Sequence, residues 1–216
     1  MRGGGDVLIE EVQSLLNVSR ETLQTLNHYV ELLERWQTSI DLVSSQSLEH
    51  VWRRHILDCA QLYAHIPAAA QSVTDMGSGA GLPGLIVAIL ARPERALHTV
   101  LIESNGKKCG FLRFAAAELG LEVEVIRARL DVPTLPPADV VTARALAPLP
   151  DLLTYAQRFK HDGMAKRKTL CLFLKGQDVE GELTKTTKYW KLDVQRIPSL
   201  SDPSGTLLVI EDFNPC

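Results

Sequence analysis

The chain has 216 residues, 45% of them hydrophobic and 23% charged, with a formal net charge of -3. That apolar content suits one α/β core with an attached segment, and the acidic balance excludes a nucleic-acid binder that relies on a uniform basic field. No apolar run has the length of a membrane span, and Met1-Arg2-Gly3-Gly4-Gly5-Asp6 lacks the apolar centre of a signal peptide, so a cytoplasmic protein without a membrane partner is expected.

In chain order, residues 6 to 16 and 20 to 37 are predicted helices, the second carrying Leu23, Leu26, Val30 and Leu33 at three-to-four spacing behind a Ser19 cap. A third helix is expected after Ser47, with Leu48, Val51, Trp52, His55, Cys59 and Leu62 on one side. Residues 1-66 therefore read as a helical extension and 67-216 as a second unit. There, apolar runs at 73 to 76, 99 to 103, 123 to 127, 140 to 143, 170 to 174, 194 to 198 and 207 to 213 read as strands. Helices are expected near 84 to 91, 106 to 119, 130 to 132 (a weak one), 149 to 160 and 178 to 190. This alternation predicts a mostly parallel, doubly wound sheet, and the turn-like Ser201-Asp202-Pro203-Ser204-Gly205 places an antiparallel strand at one edge.

Between the first run and the next helix lies Asp75-Met76-Gly77-Ser78-Gly79-Ala80-Gly81-Leu82-Pro83-Gly84. Gly77, Gly79 and Gly81 can take positive φ, and the helix beyond offers free N–H groups at its first turn, so a nucleotide-type ligand is expected here. A dinucleotide fingerprint from Gly77 would need glycine or alanine where Leu82 stands, and a P-loop would need Lys-Ser/Thr after Gly84, where the chain has Leu85-Ile86. Both registers fail. The remaining pattern, Asp75, Gly77, Gly79 and a last Gly84, resembles the first motif of S-adenosylmethionine-dependent methyltransferases with a Rossmann-like sheet.

Other residues can be weighed around that loop. Glu103, closing the second strand, can accept two hydrogen bonds from ribose hydroxyls, or it can pair with Lys107 at the surface. Asp75 can hold the loop through backbone N–H groups, orient a ligand amine, or do both. Leu130 and Asp131 can offer an apolar face and an acceptor for an adenine amine, unless Asp131 only caps a short helix. Arg144, at the end of the fourth strand, can bind a donor carboxylate, a guanine edge or a phosphate, or be a surface arginine.

That strand end lacks the Asp/Asn-Pro-Pro-aromatic element common in amine methylation of bases, and the Pro215-Cys216 dipeptide lies far along the chain from the loop. An acceptor that is already nucleophilic, such as guanine N7, needs no general base and is consistent with this. In Arg54-His55-Ile56-Leu57-Asp58, Arg54 and Asp58 can pair at i and i+4 beside a satisfied histidine, or the helix can lie over the cleft with Arg54 facing substrate or Asp58 orienting the donor. The four cysteines, Cys59, Cys109, Cys171 and Cys216, have neither CxxC nor zinc-finger spacing, so reduced thiols and no metal site are expected. Basic residues gather at Arg53-Arg54, Lys107-Lys108 with Arg113, Arg127 with Arg129, Lys166-Arg167-Lys168 and Lys175, several on strand-end loops where a rim could touch RNA phosphates.

Taken together, Arg54 to Cys59, Asp75 to Gly84, Lys107-Lys108 with Phe111-Leu112, Arg129-Leu130-Asp131, Ala143-Arg144-Ala145 and Leu174-Lys175-Gly176 resemble the RsmG (GidB) family of small-subunit rRNA methyltransferases. The resemblance runs from about residue 25 to 210. It implies a class I methyltransferase sheet, S-adenosyl-L-methionine as donor, 16S rRNA or the small ribosomal subunit as partner, and methyl transfer to a guanine N7 in the 530 loop. Family binding positions fall on Gly77, Leu82, Leu130, Asp131 and Arg144, with Arg54, Asp58, Arg144 and Lys175 as substrate-side candidates. The chain departs from the family at Asp41-Leu42-Val43, where Asn-Leu-Thr/Val is common, and at Gly205-Thr206-Leu207, where a basic residue is usual. The same donor site would also serve a small-molecule or protein methyltransferase, or a non-catalytic S-adenosylmethionine-binding module.

Overall fold

A computed structural model describes residues 17–132, 135–161 and 168–216. The helix expected over 6 to 16, and Lys166-Arg167, lie outside the described residues. Helix α1, Arg20–Gln37, begins where the Ser19 hydroxyl accepts the Thr22 N–H, and it buries Leu23, Leu26, Tyr29, Val30, Leu32 and Leu33. The Gln37 side chain then shapes the next loop, accepting from the Leu42 and Val43 N–H groups and donating to the Val43 carbonyl. A one-turn helix α2, Ser45–Leu48, follows.

The predicted third helix is not uniform. Trp52–Leu57 is a π-helical turn with i→i+5 bonding, and only after it does α3, Asp58–Tyr63, run as an α-helix. The apolar spacing that predicts one helix is kept, because Val51, Trp52, Ile56, Cys59 and Leu62 still face one core.

The strands are β1 Ser72–Met76, β2 His98–Glu103, β3 Val123–Arg127, β4 Val140–Arg144, β5 Leu170–Lys175, β6 Trp190–Pro198 and β7 Thr206–Pro215. They form one seven-stranded sheet in the order β3-β2-β1-β4-β5-β7-β6. The first five are parallel, and β7 inserts antiparallel between β5 and β6. The sheet is thus mostly parallel with antiparallel pairing at one edge, as the sequence predicts.

Helices α4, Gly84–Ala91, and α5, Gly106–Glu118, cover one face with α1 and α3; α6, Leu149–Ala156, and α7, Val179–Thr186, cover the other. Alternation along β2 assigns side chains to the two cores: Leu101 joins the α4 side, Val100 and Ile102 the α6 side. Helix α4 is buried along its whole length because α1 and α3 close over it.

Three expected boundaries move. The weak helix at 130 to 132 is a turn. The helix expected over 149 to 160 stops at Ala156 and tightens into a 3-10 turn, Gln157–Phe159. The one expected over 178 to 190 stops at Thr186, because Trp190 is drawn into β6 and packs on Phe213 with ring centroids 6.4 Å apart. Its burial alternation through Leu192 and Val194 has the period of a half-covered edge strand.

Helix α1 reaches the sheet's functional end through one polar contact: the buried Tyr29 hydroxyl donates to the Ala80 carbonyl at 2.8 Å. Tyr29→Phe leaves that carbonyl buried without its donor, so chemical denaturation is expected to show a loss of about 1–2 kcal/mol. An unchanged unfolding midpoint would mean that the helix is held by apolar packing alone.

Candidate active site

In the sheet order β1 and β4 are neighbours, yet the helices that follow them cover opposite faces, so a crevice opens at their C-terminal ends. A cleft of about 560 Å³ lies there, within the usual size range for small-molecule sites. The glycine loop forms one wall, and the chain from Arg144 to Ala147 forms another.

The loop is fixed at its root. Asp75 is fully buried; its Oδ1 accepts the Thr142 hydroxyl of β4 at 2.7 Å and its Oδ2 the Gly84 N–H at the start of α4 at 3.2 Å. Both oxygens are used on the protein, so the loop-holding role is the one the geometry displays. A Cβ on Gly84 would lie 2.8 Å from Asp75 Oδ2 and would strike Leu101, which is why this position is glycine.

Further along, Gly77, Gly79 and Gly81 have φ of +65°, +55° and +85°. At Gly77 a side chain is excluded twice, by the backbone and by Leu146 Cδ1, only 2.5 Å from where a Cβ would stand. Three separate elements then hold the loop's crown. The Ser78 N–H donates to the Ile102 carbonyl, the Gly79 N–H to Glu103 Oε2, and the Ala80 carbonyl accepts from Tyr29.

Glu103 is buried at the cleft floor, with Oε2 accepting from Gly79 at 2.9 Å and Oε1 from the Asn105 N–H at 2.8 Å. These two bonds fix the carboxylate plane and leave a lone pair on each oxygen. No Glu103–Lys107 ion pair forms among the described residues. Leu130 and Asp131 line the cleft beyond β3; Asp131 accepts from Arg129 Nε at 3.2 and 3.3 Å, and because no helix starts there it caps none.

Arg144 ends β4 and lines the cleft. Its guanidinium donates to the Arg54 carbonyl at 2.6 Å and to Cys59 Sγ at 3.4 Å, with Asp58 Oδ2 at 3.9 Å. The expected Arg54–Asp58 pair is not made among the described residues. Asp58 instead accepts the Ser199 hydroxyl at 2.6 Å, and the π turn breaks the i, i+4 stacking the pair would need. Burial pushes the Cys59 thiol up to about 12 despite the pull of Arg144, so it remains a thiol. Cys216 is exposed beyond β7 and does not line the cleft.

His55, expected as a satisfied histidine, is not one. It lines the cleft, is only 7% exposed, and neither ring nitrogen has a hydrogen-bond partner. Arg144, whose charge acts on it, directs one N–H each at the Arg54 carbonyl and Cys59. Burial first, then the charges of Arg144 and Arg54, lower its pKa to about 3, so the imidazole is neutral. A backbone group of Arg54, the smallest of these influences, favours the charged form, but its geometry falls short of a hydrogen bond to either ring nitrogen.

Lys175 is committed elsewhere. Its ammonium pairs with Glu182 at 2.8 Å and donates to the Ala147 carbonyl at 3.0 Å, bracing the exit from β4. Of the residues singled out from sequence, Gly77, Gly79, Leu82, Glu103, Leu130, Asp131 and Arg144 therefore line one cleft. Asp75 and Gly81 stand behind its wall, and Arg54, Asp58 and Lys175 support it from outside. Tyr29, Thr142 and Ser199 escaped sequence reasoning; the first alone carried a signal, a polar tip within the apolar stripe of α1.

The model of a family described as rRNA small subunit methyltransferase G, or GidB, matches residues 22–208. The chain belongs to this family. A Ribosomal RNA small subunit methyltransferase G of Rhodospirillum centenum is 44% identical over 205 residues, covering 95% of this chain and 91% of the relative. Among solved structures, a methyltransferase from Geobacter sulfurreducens superposes with a TM-score of 0.56 at 16% identity, covering 87% of this chain and 88% of that one. M. jannaschii TYW2 in complex with AdoMet gives 0.52 at 17% identity, covering 83% and 80%. At such identities the two structures establish the class I methyltransferase fold. The GidB match spans both the sheet and the helices that brace the cleft, Tyr29 and His55 included.

Asp75 supplies a check on this geometry. Burial, opposed by its hydrogen bonds, pushes it up to about 6 from the usual aspartate value of 3.8. Between those values the folded protein holds a proton that the unfolded chain has released, so this group favours folding at low pH and the benefit is lost as pH rises through 6. Urea unfolding of wild type and Asp75→Asn from about pH 4.5 to about pH 7.5 is expected to move in favour of the variant by on the order of 2 kcal/mol. A gap that stays constant would mean that the carboxyl titrates normally.

Proposed function

We propose that this chain methylates N7 of a guanine in the 530 loop of 16S rRNA, with S-adenosylmethionine as donor. Membership in the small subunit methyltransferase G family carries the choice of rRNA. The cleft supports the donor. Glu103, held in plane by two backbone N–H groups, has lone pairs free for ribose hydroxyls; Leu130 and Asp131 suit an adenine face and its amine. The side-chain-free loop at Gly79, with no side chain beside it, lets a methionine moiety approach the backbone, and the unspent N–H groups of Arg144 suit its carboxylate.

When bound, the donor supplies an electrophilic methyl group: the N7 lone pair forms the N–CH3 bond as the S–CH3 electron pair returns to sulfur, and the positive charge passes to the guanine without proton transfer. The residues around the acceptor agree with such chemistry. His55 is too weak a base at a pKa of about 3, and Cys59 is held as a thiol. The chain's task is then orientation and exclusion of water. In this reading residues 1-66 are a helical extension, whose described part from residue 17 roofs the cleft of a catalytic unit at 67-216, and the exposed Arg53, Arg54, Lys107, Arg127 and Arg129 form a rim for RNA phosphates.

Purified protein is expected to move a labelled methyl group onto unmethylated small-subunit rRNA or particles, with the product mapping to a single guanine N7. Absence of transfer to any rRNA or subunit sinks the proposal, and labelling of metabolites or proteins with RNA indifferent points to another acceptor. Donor binding can be tested apart from turnover: Glu103→Gln sets an amide N–H against one of two backbone donors, so calorimetry should show affinity for S-adenosylmethionine falling about tenfold or more. Undiminished binding would move the ribose elsewhere.

A further inference from the structure

Among the described residues lining the cleft, His55 is the buried side chain whose polar atoms are all unpaired. Buried polar groups are almost always satisfied, so an imidazole in the cleft wall with both nitrogens unpaired points to a ligand that completes it. The part of the cleft it faces follows from the fold. The Trp52–Leu57 turn holds Arg144 at the end of β4, and α3 beyond it is tied to the β6–β7 link through Asp58 with Ser199 and Gln61 with Leu200. His55 therefore sits on the β4 side, whereas Glu103 and Leu130-Asp131 stand over β2 and β3 on the other.

We propose that His55 binds the acceptor base, its neutral imidazole donating an N–H hydrogen bond to O6 of the guanine whose N7 takes the methyl group; this rests on the function proposed above. The edge of guanine that carries N7 presents a second acceptor, O6, beside it. N7 must stay free for the incoming carbon, so a protein group that orients this edge has to donate to O6. A charged donor there would repel both the sulfonium and the positive charge that passes to the base. An imidazole kept neutral by burial and by Arg144 and Arg54 still has one N–H to give. Arg144, the other candidate, carries a full charge, and its N–H groups not spent on the Arg54 carbonyl and Cys59 are assigned above to the donor's carboxylate.

The test pairs a protein change with a change of acceptor base that removes O6, and with it the N1 proton on the edge away from N7. Small-subunit particles are reconstituted with guanine or with 2-aminopurine, which lacks O6, at the target position. On guanine particles His55→Ala should lower kcat/KM about tenfold. On 2-aminopurine particles, where wild type has already lost the bond, it should cost less than about twofold. His55→Asn keeps an N–H donor and fills more of the space, so it should recover about threefold or more of the loss, and it serves if the alanine variant folds poorly. Calorimetric affinity for S-adenosylmethionine should stay within about twofold in both variants. Equal losses on the two bases, or donor affinity falling in step with the rate, would overturn the assignment of His55 while leaving the proposed function intact. A wild-type protein that methylates no particle at all would remove that function, and the role of His55 with it.

Discussion

The buried carboxylate of Asp75 sits where β1, β4 and α4 meet, and the position of everything in the cleft follows from how it is held. Taking a carboxylate out of water is costly unless its oxygens are hydrogen-bonded. Here Thr142 provides one partner from the neighbouring strand and Gly84 the other from the first turn of α4, where the helix dipole also favours negative charge. One side chain thus fastens the two strands that border the crevice to the helix that leaves it. The arrangement dictates sequence around it, since any residue with a Cβ at Gly84 would push into the carboxylate.

With its root fixed, the glycine loop is pinned at successive residues from different directions: Ser78 by β2, Gly79 by Glu103 and Ala80 by α1. A segment rich in glycine is conformationally loose in isolation, and these three bonds remove that freedom. The Glu103 contact serves both partners, because the N–H that anchors the loop also sets the plane of the carboxylate. The helices before the sheet are part of this structure, not an appendage: Tyr29 closes the loop from outside, and the π turn presents the Arg54 carbonyl to Arg144.

What the sequence made legible follows from the range over which each signal acts. Fully buried parallel strands read as continuous apolar runs, and the glycines together with Leu82 mark the loop locally, so the sheet and the loop that lines the cleft are legible. The π turn was not, since over six residues its apolar spacing is the same as that of an α-helix. The pairing of Arg54 with Asp58 was inferred from that wrong pitch. Lys175, a rim and substrate-side candidate because it ends a strand, is paired with Glu182 from α7. Partners far apart in the chain leave no local trace: Tyr29 and Ala80 are 51 residues apart, Asp58 and Ser199 141.

The two sides of the cleft are made of different materials, and this separates their physical demands. The β1–β3 side combines the backbone of the glycine loop with the carboxylates of Glu103 and Asp131, and Lys108 and Arg129 lie at its edge. The β4 side is made of side chains delivered by a helical turn from outside the sheet, with Arg144 the positive charge at its centre. That charge lies beside Asp58 at 3.9 Å and the Arg54 carbonyl, and it adds to burial, the larger cause, in keeping His55 neutral. Arg144 thereby docks the helical turn and, with burial, lowers the proton affinity of its neighbour His55. A lysine could supply the charge but not the planar fork that reaches carbonyl and thiol together, so the guanidinium geometry, and not charge alone, couples the roof of the cleft to the strand beneath it.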